Sequence, residues 1–96
     1  MEFDWDPEKA EANLVKHGVS FKEATGVFTD PLAVTFADPD HSGDEIREIT
    51  VGKSEGHVIL TVSHTDRDGI VRIISARRAN WKEKQGYGTR RSRNAR

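Results

Sequence analysis

Two arginines, Arg72 and Arg77, interrupt the strand-forming run Ile70-Val71-Arg72-Ile73-Ile74-Ser75-Ala76-Arg77-Arg78. A guanidinium is costly to bury unpaired, and its planar fork matches a phosphate or a carboxylate. On a rigid strand each is therefore either a structural ion-pair partner or part of a preorganised anion site. Taken in isolation, the structural role ranks first. Period-two alternation sets Ile70, Arg72, Ile74 and Ala76 on one face and Val71, Ile73, Ser75 and Arg77 on the other. Regular geometry thus points the two arginines apart, and both can serve one site only if the strand twists or bulges. Arg67 belongs to the turn before this strand, where an arginine is ordinarily solvated.

Proton-transfer chemistry has one candidate pair. Lys16-His17-Gly18 places an amine and an imidazole at a helix end, the groups of a phosphate clamp and of a general acid or base. The plainer role for His17 is a cation well placed on the helix dipole, and spacing alone favours it. The remaining histidines, His41, His57 and His64, are scattered over a loop and a strand, with His57 and His64 on opposite faces. No paired ligand spacing occurs, so no metal site is expected. Positive residues gather differently. Lys53, Arg67, Arg72, Arg77, Arg78, Lys82 and Lys84 come from adjacent strands or the helix that follows, with few acids between them. Trp81 and Tyr87 lie close by in sequence and offer rings on which bases stack. The combination reads as a nucleic-acid surface, although no helix-turn-helix, zinc finger or paired-aromatic strand motif accompanies it.

The elements that must position these groups follow from local signals. Phe3-Asp4-Trp5 is a short extended start. Asp6 suits a helix N-cap and Pro7 the first helical position, where no amide donor is needed. Ala10, Asn13, Leu14 and His17 share one face of that helix, a half-polar inward stripe, and Gly18 stops it. Ser20-Phe21-Lys22-Glu23 has capping-box spacing and opens a second helix with Phe21, Ala24 and Phe28 on its apolar side, ended by Asp30-Pro31. Strands are expected at Leu32–Phe36, Arg47–Val51, His57–Thr65 and Ile70–Arg78. A loop at Asp38–Asp44 and the turn signal Asp68-Gly69 separate them, and Arg47, Ile49 and Val51 lie on one side. Asn80-Trp81-Lys82-Glu83 caps a short last helix that Gly86 and Gly88 weaken. The order β-α-α-β-β-β-β-α describes an α+β fold, with three meandering antiparallel strands and two helices packed on the sheet.

Bulk composition sets the limits. Ninety-six residues make one domain, and 34% hydrophobic against 32% charged residues leaves a thin stability margin. Without cysteine, disulfides, thiolate ligands and thiol nucleophiles do not arise. No apolar run is long enough to span a bilayer and the N-terminus is not a signal peptide, so a soluble, cytoplasmic protein is expected. The net charge of −1 conceals a split: residues 1–48 balance at −8 and residues 49–96 at +7. Such asymmetry suits a basic face for nucleic acid or an acidic partner, or two halves that neutralise each other across the fold.

Several motifs stand together in a familiar order: Phe3-Asp4-Trp5-Asp6-Pro7, Asn13-x-x-Lys16-His17-Gly18-Val19-Ser20-Phe21, Glu23-Ala24, Val27-Phe28-x-Asp30-Pro31, Asp40-His41-Ser42, Glu45-x-Arg47, Thr65-x-Arg67 and Arg72-Ile73-Ile74-Ser75-Ala76-Arg77. From residue 3 to about 87 the chain resembles the BrnT family, toxins of bacterial type II toxin–antitoxin systems. The resemblance implies a RelE-like α+β fold: an antiparallel sheet, two N-terminal helices packed on it and a short C-terminal helix. It also implies a metal-independent endoribonuclease with no cofactor, inhibiting translation. In sites of that type a ribose 2′-hydroxyl attacks the adjacent phosphate. Arg67, Arg72 and Arg77 are then candidates for stabilising the phosphorane, and His17 with Lys16 for proton transfer or clamping. Lys53, Arg78, Trp81, Lys82 and Tyr87 are candidates for holding RNA. The implied partner is a BrnA-like ribbon-helix-helix antitoxin in a 2:2 heterotetramer, touching DNA only through the antitoxin and no membrane. Residues 1–88 form the expected toxin domain, with 89–96 a basic, disordered tail. The family's last helix runs on through a Tyr-Glu pair, whereas here Gly86-Tyr87-Gly88 stands in its place. The competing reading is a non-catalytic module whose basic half docks an acidic protein or nucleic acid.

Overall fold

A computed structural model describes residues 1–39 and 45–94, with side chains through Tyr87. The chain runs β1 (Glu2–Asp4), α1 (Pro7–His17), α2 (Phe21–Ala24), a 3₁₀ segment (Thr25–Thr29), then β2 (Val34–Ala37), β3 (Arg47–Lys53), β4 (Ile59–Arg67), β5 (Ile70–Arg78) and α3 (Trp81–Asn94). The five strands form one sheet in the order β1-β5-β4-β3-β2. The pairs from β2 to β5 are antiparallel, as expected; β1 adds a short parallel strand on the outer edge of β5. Among the described residues no helix is long and apolar enough to cross a membrane.

Local chemistry starts each helix where the sequence indicates. Asp6 accepts the Glu8 amide at 2.9 Å, and Ser20 Oγ accepts the Glu23 amide at 3.0 Å. Gly18 closes α1 in the left-handed region at φ 70°, its amide bonded to Leu14 O at 2.9 Å. The second helix is not continuous. After four residues it tightens into the 3₁₀ segment, which packs so closely on β3 that a Cβ at Gly52 would lie 3.1 Å from Val27 O.

These helical segments cover one face of the sheet. Phe21, Ala24 and Val27 meet Leu60, Val62, Ile73 and Ala76 there, all essentially without solvent contact. The half-polar stripe of α1 resolves into a clasp. Buried Asn13 donates from Nδ2 to Val19 O (2.9 Å) and Ala76 O (2.8 Å), and its Oδ1 accepts the Ala76 amide at 3.1 Å. β1 pairs β5 only from Ile70 to Arg72, so farther along Asn13 satisfies the edge backbone that no strand reaches. Leu14, expected to face inward, is half exposed, because the position that reaches the sheet is given to Asn13.

The opposite face is only partly covered. α3 lies across the sheet at β3, where Tyr87 and Ala79 pack on Val51. It runs from Trp81 to Asn94 through Gly86 and Gly88, beyond the short helix expected and across most of the stretch assigned to the tail. Each glycine costs about 1 kcal/mol relative to Ala. The contacts made by Glu83 and Tyr87, described below, offset that cost.

Candidate functional site

The face that carries α3 is set by strand phase. Ile73 and Ala76 both belong to the buried core although they are three residues apart. The cause is a register shift: Ser63 pairs with Ser75 and His64 with Ile73, so Ile74 is an extra residue on β5. The bulge overturns the regular-strand expectation. Arg72 pairs with Thr65 and Arg77 with Thr61, two β4 residues of equal phase, so both arginines occupy the face opposite α1.

They do not share a site, however. Arg72 and Arg77 are five residues apart, roughly 15 Å along the strand, and their surroundings differ. Arg77 sits under the start of α3. Its Nη1 and Nη2 donate to Glu83 Oε1 and Oε2 at 2.8 Å each, a bidentate fork. Glu83 also accepts the Asn80 amide (2.8 Å) and the Thr61 hydroxyl (3.0 Å). The Arg77 hydrogen bond holds the Glu83 carboxyl down at about 2 against the opposing effect of burial, helped by the Asn80 and Thr61 bonds. One turn on, Tyr87 is buried and its hydroxyl donates to Asp30 at 2.6 Å. Burial works to raise the Asp30 carboxyl, but bonds from Tyr87 and from the Lys53 and Leu32 amides keep it below the usual range. This end of the face is an anchor for α3.

Among the described residues the other end is open. One row across three strand pairs reads Arg47, Thr65, Arg72, Asp4, and the next places Arg67 beside Ile70. Arg47 and Arg72 are thus two strand spacings apart, about 10 Å. Arg72 Nη1 lies 3.2 Å from Asp4 Oδ1, and Arg67 Nε donates to Glu45 Oε2 at 2.6 Å. Thr65 is buried between the arginines and donates to Ile46 O at 2.8 Å, tying the start of β3 to β4. The Arg67 hydrogen bond lowers the Glu45 carboxyl, and the charges of Arg67, Arg47 and Arg72 all act in the same sense. Four ionic side chains therefore share one electrostatic space. Arg47 is exposed and makes no ion pair among the described residues.

The other candidates are dispersed. Lys16 and His17 end α1, in the layer on the opposite face, and join neither arginine group. Arg78 pairs with Leu60 and so belongs to the helix-covered side. Lys53 and Lys82 lie toward the α3 end, with Lys82 lining a groove of about 290 Å³ beside Phe36 and Tyr87. Trp81 is 70% exposed and free to stack, whereas the Tyr87 ring is packed between α3 and the sheet and is not offered to a base. His57 occupies a turn at φ 64°. His64 is buried against Phe28 with Nε2 2.7 Å from Thr50 Oγ1; burial lowers its pKa despite the opposing charges of Glu48 and Asp66. His41 lies outside the described residues. Among the described residues no three His, Cys, Asp or Glu side chains are grouped to hold a metal. Arg47, Glu45 and Asp4 were not singled out from sequence as functional. The signal existed in Glu45-x-Arg47 and in the phase that Arg47 shares with Ile49 and Val51.

An open cluster of arginines at one end of a sheet invites comparison with known proteins. Residues 5–83 match the family model described as the ribonuclease toxin BrnT of type II toxin–antitoxin systems. The chain belongs to the BrnT family. Its fold is similar to the crystal structure of the Brucella abortus ribonuclease toxin BrnT, with TM-score 0.64 and 24% identity over 83% of this chain and 97% of that one. No curated protein matches the chain. As a BrnT-family member the protein is an endoribonuclease toxin, acting on RNA and controlled by an antitoxin.

Proposed function

We propose that the open arginine end of the sheet cleaves RNA without a metal, by in-line attack of a ribose 2′-hydroxyl on its own 3′-phosphate. The observation that carries this reading is the convergence of Arg47, Arg67 and Arg72 on one exposed space. Phosphoryl transfer of this kind is driven chiefly by donors placed where charge develops on the phosphorane, and planar guanidinium forks suit its equatorial oxygens. Thr65 holds the strands that carry them in fixed register. Arg77 contributes indirectly, by fixing α3. Lys53, Lys82 and Trp81 extend the surface along which a single strand can lie, by charge and by stacking.

The protein acts in the cytoplasm and blocks translation by destroying RNA. Its antitoxin carries a ribbon-helix-helix domain whose dimerisation gives a 2:2 assembly, and it is silenced by covering the basic face after Gly69. The same positive field that attracts RNA speeds association with an acidic antitoxin segment, and the rate falls with salt. The test is cleavage of RNA by purified protein after exhaustive chelation. We expect products ending in 2′,3′-cyclic phosphate, and none once the antitoxin is added. Complete loss of cleavage in EDTA, restored by a divalent cation, would overturn the mechanism.

A further inference from the structure

The geometry points to Glu45 as the general base that takes the proton from the attacking 2′-hydroxyl, an inference that rests on the 2′-hydroxyl mechanism above. Electrostatic stabilisation by three arginines leaves proton transfer unassigned. Lys16 and His17 sit on the other side of the sheet, His64 is buried there too, and His57 lies in the turn before β4. Among the described residues the carboxylates of Glu45 and Asp4 are the ion-paired bases within the open cluster.

Glu45 is the better placed of the two. It reaches the cluster from the start of β3, and the fields of Arg67, Arg47 and Arg72 converge on its carboxylate. Its bond to Arg67 uses Oε2 alone, leaving Oε1 to accept a proton. Asp4 is tied to Arg72 on the edge strand β1. In the free protein the Arg67 hydrogen bond holds the Glu45 carboxyl below its ordinary value. When the arginines turn to a phosphate, that phosphate's negative charge raises the proton affinity of Glu45 at the moment a base is needed. The base thus becomes competent on substrate binding.

The step balances without a further reagent except water. The 2′-hydroxyl proton passes to the Glu45 carboxylate as the 2′-oxygen–phosphorus bond forms. The phosphorus–5′-oxygen bond breaks with its electron pair on the leaving oxygen, which takes a proton from water. The products are a 2′,3′-cyclic phosphate and a 5′-hydroxyl, and Glu45 then returns its proton to solvent.

The test uses the full chain in single-turnover cleavage, with binding measured on the same RNA carrying a 2′-deoxyribose at the cut. Glu45→Gln should lower the cleavage rate about 10²–10⁴-fold, while affinity for the uncleavable RNA is kept or rises because Arg67 is released. Formate added to Glu45→Ala should restore part of the rate, which loss of an orienting contact would not allow. Cleavage by Glu45→Gln close to the wild-type rate would overturn the assignment. So would a rate loss matched by an equal affinity loss with no formate rescue, which would make Glu45 a tether for Arg67. Wild-type products without cyclic phosphate would instead overturn the underlying mechanism, so the two failures are distinguishable.

Discussion

Arg72 and Arg77 stand on one strand and one face, yet the structure uses them in opposite ways. At the Arg77 end a guanidinium meets a carboxylate through both terminal nitrogens, beneath the start of a helix. At the Arg72 end, among the described residues, each arginine touches its acid through one nitrogen or has no ion pair. The lesson is that a pairing's completeness, more than its presence, separates a structural arginine from one available to substrate. A bidentate pair satisfies the fork; a single contact leaves it able to receive a phosphate.

Substitutions that separate the two ends should differ in what they damage. The largest effect is expected at the open end. Arg72→Ala or Arg67→Ala should remove about 2–4 kcal/mol of transition-state stabilisation, roughly 30- to 10³-fold in rate, with the fold retained. A folded double mutant that still cleaves RNA at the wild-type rate would erase the contrast.

At the covered end the expected loss is in stability. Glu83→Gln should cost about 1–3 kcal/mol, discounted because Arg77 is 43% exposed, while the cleavage rate per folded molecule is maintained. The pH dependence has a definite sign. Glu83 has its pKa depressed to about 2 from 4.5 in the folded state, so its contribution is complete above 4.5 and disappears as pH falls toward 2. Urea unfolding of wild type and Glu83→Gln should therefore diverge at neutral pH and converge in acid. A constant gap across that range would show that the pair is not the anchor.

The smallest effect sharpens the open end. Arg47→Ala should weaken RNA binding modestly at all sequences and reduce the salt dependence by about one phosphate contact. An unchanged salt slope would remove Arg47 from the RNA surface.

Much of the scaffold was legible because it is written in neighbours. Asp6 and Ser20 act on amides two or three residues away, and Asp68-Gly69 take the positive φ their turn requires, so all three behave as read. The site was less legible because its decisive contacts are remote: Asp4 with Arg72, Glu45 with Arg67, Tyr87 with Asp30. The bulge at Ile74 was hidden by composition, since Ile73, Ile74 and Ser75 satisfy either phase. Arg77 drew attention as a candidate through its residue type, although the carboxylate that occupies it is only six positions on. Lys16 and His17 were grouped by chemistry, and only the layer in which α1 packs separates them from the arginines.

The Asn13 clasp also bears on the order of events during synthesis. Asn13 and its partner Ala76 are 63 residues apart, and β1 pairs with β5 at Ile70–Arg72. The first segments to be translated therefore wait, unpaired, until the last strand has been made. Closing so long a loop is entropically demanding and comes late, whereas the β3–β4 hairpin can form locally beforehand. Arg72 takes its place in the site in that same late closure.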